Sequence, residues 1–246
     1  MKKTKYILSY GGGVNSSALF FHILEKGLPL DLVIFADTGE ELKTTYQAVE
    51  RIKPLCSTYG VEFITVKSDY GNLYDYYLKN KCIMSMMRRD CTVKFKVSPI
   101  RKYLRSRYDH KHRFNMYIGI SYDEAHRIKG SNVKYITHLY PFVTDRITRS
   151  GNVEILKQNN FIAYKSGCRG CMYQSKAEWI RMFQENPEEF KRHIILEING
   201  SRYPDILLNG SYSLLDLEKA FKDQKSLKSF LDINSSCNNI NGGCFL

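Results

Sequence analysis

Through the first two thirds of the chain, short apolar runs alternate with amphipathic stretches. The first run, ending Ile7-Leu8-Ser9-Tyr10, breaks at Gly11-Gly12-Gly13. Apolar residues then recur at helical spacing, predicting a helix over 16–26 that Gly27 and Pro29 stop. Asp31-Leu32-Val33-Ile34-Phe35-Ala36 is nearly all apolar, as expected for a strand covered on both faces, and ends at Asp37-Thr38-Gly39-Glu40-Glu41. A helix over 42–59 and a strand over 61–66 complete a β-α-β-α-β order, which implies a parallel sheet with right-handed crossovers. The pattern continues with a tyrosine-rich helix over 70–81, a basic helix over 99–107 and a strand over 116–120. An extended segment over 135–141 and a helix over 152–159 follow. From Ser166 the character changes to a cysteine turn, helices over 176–185 and 187–198, and an amphipathic stretch over 214–227. The tail, 234–246, is rich in asparagine and glycine.

The pattern leaves no apolar run of about 18 residues, so no membrane span is expected. Met1-Lys2-Lys3-Thr4-Lys5 is basic, but the apolar stretch behind it is short and reads as a first strand instead of a signal peptide, which points to a cytoplasmic protein. The 246 residues carry a net charge of +12, from 37 basic and 25 acidic side chains, which favours anionic partners. Part of that excess is clustered between Arg88 and Arg113, with Tyr103 and Tyr108 inside the block. Such a block suits nucleic acid, and also a plain solvated basic face. The seven cysteines are an odd count in a chain without an export signal, so metal binding or thiol chemistry is expected over disulfides.

Three predicted strand ends are chemically loaded: Gly11 to Ser16, Asp37 to Glu41, and Gly119 to Arg127. In open parallel sheets ligands bind beyond the carboxyl ends of the strands, so these groups converge. Glycines followed by a helix start offer backbone N–H donors and the positive end of a helix dipole, which together suit a phosphate. The plain alternative for the glycines is a turn between a strand and a helix. Asp123-Glu124 suits a base, a metal partner or a helix cap.

These motifs resemble the phosphoadenosine-phosphosulfate-reductase-like family of the PP-loop adenine nucleotide α-hydrolase superfamily. The resemblance runs from Gly11 to about Glu197. It rests on Gly12-Gly13-Val14-Asn15-Ser16, Asp37-Thr38-Gly39-Glu40, Arg89-Asp90-Cys91-Thr92 with Lys96 and Pro99, and Gly119-Ile120 with Asp123-Glu124 and Arg127. Tyr140-Pro141 and Ser166-Gly167-Cys168-x-x-Cys171 with Trp179 complete it. The family pattern Ser-Gly-Gly-x-Asp-Ser has Gly11 here for its Ser and Asn15 for its Asp. Loss of that carboxylate bears on metal-assisted ATP cleavage, while Asn15 also suits a helix N-cap.

The resemblance implies a Rossmann-like three-layer αβα sandwich with a mostly parallel sheet: a nucleotide-binding α/β domain over 1–165, then a small helical cysteine-bearing region over 166–246. It implies an ATP pyrophosphatase in which Gly11, Gly12, Gly13, Asn15, Ser16, Ser17 and Gly119 form the nucleotide site. Asp37 would lie near the ribose or Mg²⁺, and Lys96 and Arg127 would balance phosphate charge. The cysteine turn alone reads as a metal knuckle, a redox pair or chance. The family aligns Cys91 with Cys168 and Cys171 as ligands of a [4Fe–4S] cluster, with Cys244 or Cys237 as a fourth ligand, or with one iron open. Structural zinc and free thiols are the alternatives. The implied reaction is adenylation of a nucleic-acid or nucleoside substrate followed by sulfur transfer, of the DNA phosphorothioation or tRNA thiolation type. A cysteine desulfurase is the kind of sulfur-donor protein it would need, and a homodimer is compatible with it. The alternatives are a sulfonucleotide (PAPS/APS) reductase with Cys244 as nucleophile, or a nucleotide-binding subunit without turnover. Cys56 and Trp179 read as core residues.

Overall fold

Every residue of Leu32–Asp37 is buried, as a strand covered on both faces requires. In this computed structural model residues 3–86, 88–200, 207–208 and 212–223 are described. In chain order the first elements are β1 (Lys3–Tyr10), α1 (Val14–Glu25), β2 (Leu32–Asp37), α2 (Lys43–Thr58), β3 (Glu62–Lys67) and α3 (Leu73–Lys79). Then come α4 (Asp90–Thr92), a π-helical turn (Val93–Val97), α5 (Ser98–Arg107), β4 (His112–Tyr117), a 3₁₀ turn (Tyr122–Arg127) and β5 (Ile136–Leu139). The last are α6 (Pro141–Thr144), α7 (Arg149–Gln158), α8 (Lys176–Glu185), α9 (Pro187–Asn199) and α10 (Leu214–Lys222).

The described chain forms two compact units, Met1–Asp69 with Phe95–Cys168, and Tyr70–Lys94 with Arg169–Leu246. The first contains a five-stranded, all-parallel sheet in the order β3-β2-β1-β4-β5. Its two faces follow from side-chain alternation along the strands. Leu8, Tyr10, Val33 and Phe35 pack with Ala18, Leu19, Ala48, Val49 and Leu156 from α1, α2 and α7. Ile7, Leu32, Ile34 and Ala36 pack with Ile100 and Leu104 of α5 on the other face. The expected α/β architecture, helices on both sides of a parallel sheet, is therefore present. Strand order reverses between β1 and β4, so the ligand-binding crevice of such a sheet lies at their carboxyl ends.

Most element ends differ from the pattern by a few residues, and β4 is displaced furthest. The apolar run predicts β4 over 116–120, but the strand spans His112–Tyr117, pairing with β1 from Lys3↔His112 to Leu8↔Tyr117. Backbone pairing is indifferent to the polar side chains of His112 and Arg113. Ile118 N–H still bonds to Leu139 O of β5 at 2.9 Å, and Ile120 N–H then bonds back to Ile118 O at 2.9 Å, a tight turn that ends the pairing. By compactness the chain divides after Cys168, and Tyr70–Lys94 groups with the second unit. There Tyr74 of α3 donates its hydroxyl to Arg192 O on α9 at 2.8 Å, with the Arg192 guanidinium 3.7 Å from the ring centre. Trp179, fully buried, packs edge-on to Phe190 and His193. No helix among the described residues is long and apolar enough to cross a membrane.

Candidate functional site

The glycine loop joins β1 to α1, and its glycines are there for different reasons. Gly12 has φ +68°, and a Cβ there would stand 2.7 Å from Thr45 Cγ2. Gly13 is the N-cap of α1, and a Cβ on it would meet Ser166 Oγ at 2.5 Å. At Gly11 the nearest atoms would be 3.8 Å away, ordinary contact. Ser16 Oγ accepts from Gly11 N–H at 3.1 Å and Gly13 N–H at 3.3 Å, gathering these donors at the helix start. Ser16 Oγ in turn donates to Gly13 O at 3.2 Å, so the hydroxyl satisfies these donors itself, and an anion at the helix start would take them over from it. Ser17, expected beside the phosphate, is fully buried; its hydroxyl shares a 2.9 Å hydrogen bond with Tyr10 Oη. Burial pushes the Tyr10 phenol up, so it stays neutral and the pair serves the core.

At the end of β2, Asp37 Oδ1 accepts from Gly39 N–H at 2.9 Å and Tyr46 Oη at 2.7 Å, and Lys67 Nζ lies 3.5 Å from Oδ2. Glu41, four residues on at the same strand end, has a fully buried side chain. Its Oε1 accepts from Thr38 Oγ1 at 3.0 Å and from Cys168 Sγ at 3.6 Å, and pairs with Lys96 Nζ at 3.2 Å. Its Oε2 is buried without a hydrogen-bond partner. Lys96, expected to balance phosphate charge, thus meets the Glu41 carboxylate beside Cys168, held there by the π-helical turn.

The segment running into Cys168 threads these loops together. Val14 N–H donates to Tyr164 O at 3.2 Å, Ser166 abuts Gly13, and Leu42 N–H donates to Gly167 O at 2.9 Å. Cys168 then forms an isolated antiparallel bridge with Glu41. The cysteine-bearing segment is therefore seated against both the β1 and β2 loops.

At the switch point, a Cβ on Gly119 would lie 3.0 Å from Asn15 C and Ser16 N. Gly119 thus lets the β4 end approach the backbone of the first turn of α1. Gly119→Ala is expected to cost about 1–2 kcal/mol, because backbone cannot yield as a side-chain tip does; denaturant unfolding checks it. Beyond it, Asp123 and Glu124 separate in role. Asp123 Oδ1 accepts Arg149 N–H at 3.1 Å and so caps α7. Glu124 Oε1 pairs with Arg127, and its Oε2 accepts from Asn15 Nδ2 at 2.8 Å. Arg149 and Asn152 join the same group through Asn15 Oδ1. Neither was anticipated. The available signal was Arg149 itself, a cation in the first turn of a helix, where the dipole disfavours it.

The second unit contains Cys91 on α4 and Cys171 after the turn. Gly170 in that turn has no room for a side chain: a Cβ would meet the His193 ring at 2.3 Å. His193 is buried, its Nδ1 2.8 Å from Glu189 O. Next to Cys91, Asp90 Oδ1 accepts from Tyr77 Oη at 2.7 Å and Oδ2 from Lys94 Nζ at 2.8 Å. Burial pushes the Asp90 carboxyl up, but the bonds from Lys94 and Tyr77 outweigh it and hold it below the usual range. Among the described residues no group of three or more His, Cys, Asp or Glu side chains is arranged to hold a metal ion. Cys237 and Cys244 lie outside the described residues. Cys56 is fully buried in α2, and burial pushes its thiol up to about 12. The basic block is divided: Arg88, Arg89 and Lys94 fall in the second unit, the rest in the first. There Lys102 pairs with Asp69 at 2.7 Å and the Arg105 guanidinium lies 3.4 Å from the centre of the Tyr135 ring.

No protein-family profile and no curated protein sequence matches this chain. Among solved structures it is similar to a phosphoadenylyl-sulfate (PAPS) reductase from Candida auris in complex with phosphate. That match has 12% identity and a TM-score of 0.45, over 67% of this chain and 76% of the reductase. It is similar also to the U34-tRNA thiolase NcsA from Methanococcus maripaludis with its [4Fe-4S] cluster. That match has 15% identity and a TM-score of 0.46, over 83% of this chain and 74% of the thiolase.

Proposed function

We propose that this chain is a PP-loop enzyme that cleaves ATP between its α and β phosphates, adenylates an oxygen of a nucleic-acid or nucleoside substrate, and prepares that position for sulfur transfer. The observation that carries the proposal is the meeting, within one unit, of the glycine loop, the Asn15-linked arginines Arg127 and Arg149, and the segment ending at Cys168. The loop N–H groups and Ser16 suit phosphate oxygens, and the two guanidinium groups offset the charge that develops at the α phosphate. Asp37, fixed by Gly39 and Tyr46, is the partner for a ribose hydroxyl or Mg²⁺. The substrate oxygen attacks the α phosphorus and pyrophosphate leaves; a sulfur nucleophile then displaces AMP, which carries the substrate oxygen away. DNA or tRNA is the proposed substrate, with a sulfur-donor protein supplying the nucleophile.

A [4Fe–4S] cluster on Cys91, Cys168 and Cys171 is the second part of the proposal, and its support is the cysteine pattern of the sequence. Such a group would carry sulfur or electrons, and no step above depends on it. The experiment is anaerobic incubation of the purified protein with ATP labelled at the α phosphate, with and without tRNA or DNA. Unlabelled pyrophosphate and label carried on the nucleic acid are expected, with labelled AMP released once sulfide is added as the nucleophile, and iron measured in the same preparation tests the cluster. If neither product forms with any nucleic acid, the reading is overturned.

A further inference from the structure

The amide of Asn15 is hydrogen-bonded at every position it offers. Its Nδ2 donates to Glu124 Oε2 at 2.8 Å and to Ser121 Oγ at 2.9 Å. Its Oδ1 accepts from Asn152 Nδ2 at 2.9 Å and from Arg149. An amide has two donor hydrogens and two acceptor lone pairs, so this set uses all of them. Ser121 and Asn152 are fully buried and bonded to each other at 3.1 Å, and Ser121 Oγ also donates to Glu124 Oε2 at 3.2 Å. Glu124 completes the group through Arg127.

The group joins the first turn of α1, the 3₁₀ turn after β4 and the first turn of α7. A carboxylate at position 15 would keep the bonds from Arg149 and Asn152. It would also set a second negative oxygen where Asn15 Nδ2 now donates to Glu124, and like charges at that separation repel strongly in a partly buried site. Glu124, Arg127 and Arg149 leave one positive charge in excess, which suits an anionic ligand.

We propose that Glu124 is a positioning residue of the phosphate loop: it carries the carboxylate of this site and, through the neutral amide of Asn15, fixes the start of α1 together with Arg127 and Arg149. The proposal rests on the reading of the loop as a phosphate site. The order of charge is reversible. In the double variant N15D/E124Q, the new carboxylate at position 15 accepts from the new amide at position 124, and the oxygen of that amide accepts from Arg127.

The test compares the full chain with N15D, E124Q and N15D/E124Q, measuring binding of ATP and of inorganic pyrophosphate by calorimetry, alongside Tm. Each single variant is expected to bind about tenfold more weakly or worse, and the double variant to return to within about threefold of the starting affinity. A residue that only filled space would show no such rescue. If N15D folds poorly, recovered Tm and affinity in the double variant support the proposal equally. It is overturned if N15D binds as tightly as the unaltered chain, or if the double variant binds no better than the weaker single one. Pyrophosphate binding without ATP binding by the unaltered chain would sink the nucleotide reading and leave the rescue to be scored on pyrophosphate. If the unaltered chain binds neither, both fall.

Discussion

Lys96→Met is expected to lower stability by about 3–5 kcal/mol, because it leaves a buried carboxylate without the ammonium paired to it. The Glu41 side chain is fully buried, and Lys96, 18% exposed, lies 3.2 Å away. Oε1 of Glu41 keeps its bonds from Thr38 and Cys168, but Oε2 already has no hydrogen-bond partner, so nothing replaces the lost charge. Glu41→Gln in the same chain is expected to return at least half of the loss. A neutral amide can still accept from Thr38 and no longer needs a cation. The pair is therefore strongly non-additive, as side chains in direct contact usually are. Urea unfolding of the two single variants and the double variant measures it. A Lys96→Met cost below about 1 kcal/mol, as exposed ion pairs show, would mean that solvent and not Lys96 compensates Glu41.

The elements were legible where burial dictates composition, and the site was legible only in part. β2 announces itself because a strand covered on both faces must be apolar throughout. The start of β4 does not, since His112 and Arg113 pair through their backbones. Three glycines before a helix marked the loop between β1 and α1, yet the residue that makes Gly13 necessary is Ser166, which no local pattern connects to it. Asn15 was readable as a missing carboxylate. Its partner Glu124, 109 residues away, was hidden inside an acidic pair that the structure divides between a helix cap and the Asn15 group. The family resemblance assigns the charge of Lys96 to phosphate; only folding brings it to Glu41, a buried acid at the chemically loaded end of β2. Long-range polar pairing is what the sequence withholds, because hydrophobic period reports which face is covered and not which side chains meet across it.

That same long-range contact makes Gly13→Ala the substitution with the largest expected effect on nucleotide handling. An added Cβ would stand 2.5 Å from Ser166 Oγ, 3.0 Å from its Cβ and 3.2 Å from its backbone N. Turning the Ser166 hydroxyl away relieves only the first of these. The remainder must shift either the N-terminus of α1, with its N–H donors, or the segment that carries Cys168. A displacement of this kind, on the order of 1 Å at groups that position a reacting phosphate, costs about 100-fold in turnover. Ser166→Gly in the same chain removes the hydroxyl and Cβ contacts and is expected to restore most of the loss. Gly11→Ser is the steric control: its nearest neighbours are 3.8 Å away, so the loop accepts that side chain with Tm nearly unchanged, as an uncrowded substitution should. AMP production, ATP affinity and Tm, measured for the four chains, separate a displaced loop from a destabilised fold. Full activity in Gly13→Ala would show that Ser166 does not seat the cysteine segment against the phosphate loop, and would remove the link on which nucleotide cleavage and sulfur chemistry are joined.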